Sequence, residues 1–232
     1  MKSYLCINGK KTELTDEQVR DLGFAPGKYT VAELSKIVAS GNARDRLQLH
    51  EVINIGGLDL EIIGFDHDKD RDDPNRPTIT LMAKTLLAAR RWHSGDCKRG
   101  WIDAEIRAWL NEEYINKLPE ELIPHIRSVE KLTHDSDGEA YITVDRLFLP
   151  SESELFGSAI WAAAEDGPRY EAFATSDDRI RIDEDGDADW YWTRSVRGGH
   201  SAYCAIVSVN GHAHISYAGD ASIRAPLCFC FA

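Results

Sequence analysis

Trp190-Tyr191-Trp192-Thr193-Arg194-Ser195 opens the stretch around which this chain is organised, and Ile223-Arg224-Ala225-Pro226-Leu227-Cys228-Phe229-Cys230-Phe231 closes it. Both runs are apolar, rich in aromatic rings and of strand character. Between them lies a segment made mostly of Gly, Ala, Ser, His, Tyr and Asn, which reads as recognition surface. After Trp192 there is no Lys, Glu, Gln, Met or Trp, although all five occur before it. These are the only residues that no codon ending in a pyrimidine can encode. A segment whose codons keep a pyrimidine third base while the first two are randomised carries this signature.

Within the stretch, Asn210-Gly211 is the strongest two-residue hairpin signal. A type I′ turn there predicts Val209 opposite His212, Val207 opposite His214 and Ala205 opposite Ser216. Alternation then puts Cys204, Ile206, Ser208, Ala213, Ile215 and Tyr217 on the more apolar, inward face. Tyr203, Ala205, Val207, Val209, His212, His214 and Ser216 share the other. The loops 196–202 and 218–222 extend that outer face. The contact residues expected are Arg197, His200, Ser201, Tyr203, Ala205, His212, His214, Ser216, Ala218 and Asp220, with Trp190, Trp192 and Arg194 as scaffold beneath. Rigid amphipathic rings and small polar groups of this kind suit a binding face. His212-x-His214 has the spacing of half a zinc site, but two ligands fall short of one, and no metal or other cofactor is expected.

The run W-x-W-x-R-S, the later V-x-V-x-G (Val207 to Gly211) and the terminal I-R-x-P resemble the carboxyl-terminal half of C-type-lectin-fold domains. Within that fold the chain resembles the variable proteins of diversity-generating retroelements of phages and bacteria. Ile106-Arg107-Ala108-Trp109-Leu110-Asn111 resembles the helix that packs against the sheet in the same domains. The resemblance covers about residues 47 to 232 and implies an α+β, C-type lectin-like fold behind a small α/β module at 1–46, with the variable region at about 190–232. It implies non-covalent binding of a protein or cell-surface ligand, and compatibility with an oligomer or a virion. The lectin-type fold also hosts formylglycine-generating enzymes, which use two cysteines near the chain end. Cys228-Phe229-Cys230 is the nearest feature, yet that family separates its pair by several residues, so two core thiols are expected. A structural domain of a virion or surface assembly is the third reading.

Composition narrows the partners. With 232 residues the chain can bury a sizeable core, and its net charge of -12 argues against nucleic-acid and anionic-membrane binding. Neither a signal-peptide core nor a membrane-length apolar run is found, which implies synthesis in a cytoplasm. Five cysteines cannot all pair within one chain and read as reduced thiols.

Along the rest of the chain, residues 2–8 read as a strand before an Asn8-Gly9 turn. Capping boxes at Thr15 to Gln18 and Thr30 to Glu33 open helices over about 15–22 and 31–40. Leu47 to Asn54 and Leu58 to Phe65 predict a hairpin across Gly56-Gly57, followed by a solvated loop with Asp66, Asp68, Asp70 and Asp72 rather than a calcium site. A strand is expected within Thr78 to Leu87. A helix capped by Asp103 follows, with Ile106, Trp109, Leu110 and Tyr114 on its buried face, and then a short helix at 119–125. Ile126 to Leu132 and Glu139 to Leu149 predict strands, Ser151 to Glu154 a capped short helix, and 162–189 a long connection ending in an exposed acidic turn. No phosphate loop, nucleophile elbow or paired carboxylate stands out, so no catalytic residue is expected.

Overall fold

The computed structural model describes residues 3–7, 10–14 and 28–232, with side chains from residue 28 onward. The fold is α+β with mostly antiparallel sheets. β1 (Ser3–Ile7) and β2 (Lys10–Leu14) form a hairpin. β2 is a polar run whose sequence carries no strand signal. The Asn8-Gly9 turn and the helix expected at 15–22 lie outside the described residues.

Thr30 caps α1 (Val31–Ala39): its side chain accepts from the Glu33 N–H, and Glu33 answers to the Thr30 N–H. One face of α1 buries Val31, Leu34, Ile37 and Val38 in the apolar core that also holds the central sheet.

That sheet runs β3 (Val52–Ile55), β4 (Leu58–Phe65), β5 (Ile79–Ala83), β12 (Cys228–Phe231) and β6 (Ile126–Arg127) in spatial order. Gly56 and Gly57, at φ 58° and 89°, make the two-residue loop that sets Ile55 opposite Leu58. β12 inserts between β5 and β6, so the end of the chain closes the sheet opened near its beginning. All four β12 residues are buried, which explains a run without polar alternation.

α2 (Glu105–Glu112) buries Ile106 and Leu110 and half-buries Trp109, as its spacing predicts. Its N-cap is Ala104 and not Asp103, whose carboxylate instead pairs with Arg99. The helix expected at 119–125 shrinks to one 3-10 turn at Ile123–His125. The strand expected over Ile126 to Leu132 divides at Ser128: β6 joins the central sheet, and β7 (Val129–His134) pairs with β8 (Ala140–Asp145). Ser151 and Glu154 complete a capping box on α3 (Glu152–Phe156), which ends in left-handed Gly157.

The second sheet consists of β9 (Tyr191–Val196), β10 (Tyr203–Val207) and β11 (Ala213–Tyr217), with β11 at the edge. Its hairpin corrects the sequence expectation. Cys204 lies opposite Ser216, Ile206 opposite His214 and Val207 opposite Ala213, one residue away from the predicted register. The loop has three residues: the Gly211 N–H donates to the Ser208 carbonyl (2.8 Å), and the Ser208 N–H to the His212 carbonyl (2.9 Å). Gly211 is left-handed at φ 71°, the geometry of a turn followed by a bulge. Because side chains alternate, the slip turns all of β11 over relative to β10.

Candidate functional site

The second sheet grades from core to surface across its width. Every residue of β9 is buried, and all of β10 except Tyr203. None of β11 is. Two buried strands thus hold one exposed edge strand in place, with Trp192 donating from Nε1 to the Arg90 carbonyl (2.8 Å) and Thr193 from its hydroxyl to the Ala205 carbonyl (2.8 Å).

The shifted register divides the expected contact residues between two sides. Tyr203 shares one side with Ile215 and Tyr217, and the tyrosine rings meet edge to face at 6.1 Å. Arg197 lies 6.0 Å from the Tyr203 ring and 5.7 Å from that of Trp161. His212, His214 and Ser216 share the other side with Cys204 and Ile206, and His214 meets half-buried Trp190 edge on at 5.5 Å. His200 is exposed, and Ser201 is half-buried beside it. Asp220 is engaged in its own loop, accepting from the Ser222 hydroxyl and N–H and from Ser216. Ala205 and Ala218 have no exposed surface and are not contact residues. Tyr217, assigned inward from sequence, is half exposed at 50%, and Tyr203 is 38% exposed.

Beneath this surface lies an ionic network that sequence reading missed. Asp68 and Asp70, expected in a solvated loop, are buried. Lys131, on the inward side of β7, donates to Asp68, to Glu154 (3.0 Å) and to the Tyr170 hydroxyl (3.0 Å). Tyr170 and Thr80 donate to the other Asp68 oxygen at 2.8 and 2.7 Å. Arg194 forks onto both Glu154 oxygens, one at 3.0 Å, and donates to the Asp166 carbonyl at 2.9 Å. Asp166 in turn accepts from the Ser195 hydroxyl and contacts His134 Nδ1. Burial pushes the Glu154 carboxyl up, but Arg194 and Lys131 outweigh it and hold it below the usual range. Burial raises the Tyr170 phenol well above its ordinary value, and the neighbouring carboxylates add to this.

His67, Asp68 and Glu154 bring three ligand atoms within 4.8 Å of one another. Lys131 already supplies the positive charge there, so a divalent cation would have to displace an ammonium bonded to both carboxylates. The acidic turn near 183–189 is likewise answered by Arg224, which pairs with Glu184 and Asp189 at 2.6 Å each. Lys131 and Arg224 thus answer part of each acidic cluster from within the chain. Cys228 and Cys230 are fully buried with thiols raised by burial, as core cysteines are.

A family model described as a Domain of unknown function (DUF6273) matches residues 77–229. The chain belongs to the DUF6273 family. No curated protein and no solved structure matches it. The DUF6273 region runs from the approach to β5 as far as β12, so it holds the whole second sheet along with Lys131, Glu154, Tyr170 and Arg194. β3, β4 and Asp68 lie upstream of the DUF6273 match but complete its central sheet and its ionic network.

Proposed function

We propose that this DUF6273 chain is a recognition protein with a C-type lectin-like frame, binding a protein or cell-surface partner non-covalently through its second sheet. The observation that carries the reading is the gradient across that sheet: β9 and β10 are core, while every β11 residue is accessible. A paratope needs such an arrangement, because rigid backing lowers the entropy lost when contact residues are fixed by a partner. The contact set is Arg197, His200, Ser201, Tyr203, His212, His214 and Ser216, now joined by Tyr217; Asp220 shapes the adjoining loop. Tyrosine supplies area at the cost of few rotors, and serine and histidine supply adaptable hydrogen bonds.

The face is, in this reading, diversified by a retroelement, which accounts for the five residue types missing after Trp192. Binding and not turnover also fits the ionic network, whose acids are committed to internal partners. Sequencing the coding region and its flanks tests the proposal. An imperfect copy of the terminal segment, differing mainly at adenines and lying beside a reverse-transcriptase gene, is the expected result. No such copy, or purine third bases in the codons for Arg197, Ser201 and Ser216, the contact residues whose types leave that base free, would overturn diversification.

A further inference from the structure

Loop 93–99 packs at one end of the second sheet, where the His93 N–H donates to the Ala218 carbonyl at 3.0 Å, and brings one cysteine against another. Cys97 donates from its N–H to the Ser201 carbonyl at 3.1 Å, and its thiol also contacts that oxygen. Its Sγ lies 3.8 Å from the Sγ of Cys204 on β10, a partner 107 positions away in sequence. The two sulfurs differ in setting. Cys204 is fixed in a buried strand, whereas Cys97 is the buried residue of an otherwise accessible loop, with Ser94, Gly95, Asp96, Lys98 and Arg99 all exposed. A disulfide needs the sulfurs to close to about 2.05 Å, and an exposed loop on one side can supply that approach.

We propose that Cys97 and Cys204 form an oxidisable dithiol, which a small-molecule disulfide of the glutathione class converts into an intrachain bridge. The Cys97 thiolate attacks one sulfur of the oxidant, forming a mixed disulfide and expelling one thiolate. Cys204 gives up its proton, and its sulfur attacks the Cys97 sulfur, expelling the second thiolate. Two protein thiols are oxidised, one external disulfide is reduced to two thiols, and the two protons pass to the departing thiolates.

The order of attack follows from the environment. The sulfur contact with Cys204 lowers the Cys97 thiol and favours its thiolate, while burial raises the Cys204 thiol. Cys97 is therefore the attacking sulfur and Cys204 the resolving one. Cys228 and Cys230 offer no such pair. Two apart on one strand, they stand side by side on the same face, fully buried within the central sheet. The bridge would tie loop 93–99 to β10 next to Ser201 and Tyr203, stiffening one flank of the exposed sheet. It does not depend on what that sheet binds.

The test is to equilibrate the full chain with oxidised and reduced glutathione at graded ratios, trap free thiols by alkylation and map the peptides by mass spectrometry. The Cys97 peptide should be found linked to the Cys204 peptide, reversibly on adding dithiothreitol, with Cys228 and Cys230 alkylated only after unfolding. In Cys204→Ser, Cys97 should instead retain one glutathione. Wild-type chains that keep both thiols free at every ratio would overturn the proposal. So would a stable Cys97 glutathione adduct in the wild type, or a bridge that joins other cysteines.

Discussion

Replacing Glu154 by Gln removes one negative charge from the centre of the ionic network while leaving its shape nearly unchanged. Glu154 accepts from Lys131, from both terminal nitrogens of Arg194 and from the Ser151 N–H, and it is buried. Glutamine keeps one acceptor oxygen and turns an NH2 group toward donors, so at least one of those bonds is lost, and Lys131 and Arg194 lose the carboxylate they share, leaving Asp68 beside Lys131 and Asp166 near Arg194. Removing one partner of a buried ion pair costs about 3–5 kcal/mol. That is a large share of the roughly 5–15 kcal/mol by which a domain is stable. For a chain of this size it corresponds to a melting temperature lower by about 6–20 °C. Urea and thermal unfolding, followed by the near-ultraviolet signal of the buried tryptophans, measures it. Glu184→Gln is the control: that carboxylate pairs with Arg224 on an exposed side chain, and its loss should leave the midpoint unchanged. A Glu154→Gln variant whose midpoint matches that of Glu184→Gln would refute the network's structural role.

Acid should unfold the protein through the same carboxylate. Glu154 has a folded-state value below its unfolded one, so the unfolded chain takes up the proton first as pH falls. Its contribution is fully present above the unfolded value of about 4.3 and drains away as pH drops toward the folded one; Glu154→Gln should show a shallower acid slope in urea midpoints. Two glycine substitutions separate backbone strain from crowding. Gly57→Ala meets nothing within 4 Å and should cost about 1–2 kcal/mol for its left-handed φ alone. Gly211→Ala would place Cβ 1.9 Å from the Ser176 carbonyl oxygen and should cost about 2–5 kcal/mol, read from the same urea curves.

The two hairpins show where sequence stops being sufficient. Gly56-Gly57 was legible because two consecutive residues at positive φ specify a two-residue loop, which fixes the register. Asn210-Gly211 carries the same local chemistry but serves a three-residue loop, since the Gly211 backbone packs against the Ser176 carbonyl, a contact no local pattern encodes. The cost of that single slip was the orientation of all five β11 side chains, and with it the assignment of Tyr217. β7 and β8 illustrate a second limit. Their period of two is visible, but Lys131, Thr133, Thr143 and Asp145 point inward while Ile142 and Val144 face out. Alternation reports that the faces differ and leaves the choice of inner face to whatever ionic partners the rest of the chain supplies. Asp68 could not be read as such a partner while Lys131, Glu154 and Arg194 stood far from it in sequence. The α1 and α3 caps, by contrast, are local chemistry and were legible residue by residue.

If a fixed frame presents replaceable contact residues, those residues can be exchanged together without loss of the fold. The most direct measurement randomises His200, Tyr203, His212, His214, Ser216 and Tyr217 together in displayed full-length protein. The pool is scored first for protease resistance and then for binding to a panel of purified proteins. Most clones should remain as resistant as the parent, because exposed positions off the core shift stability by about 0.5 kcal/mol or less, and clones specific for individual targets should enrich. A pool that largely fails to fold, or one that folds yet never yields a binder, would contradict the proposed function.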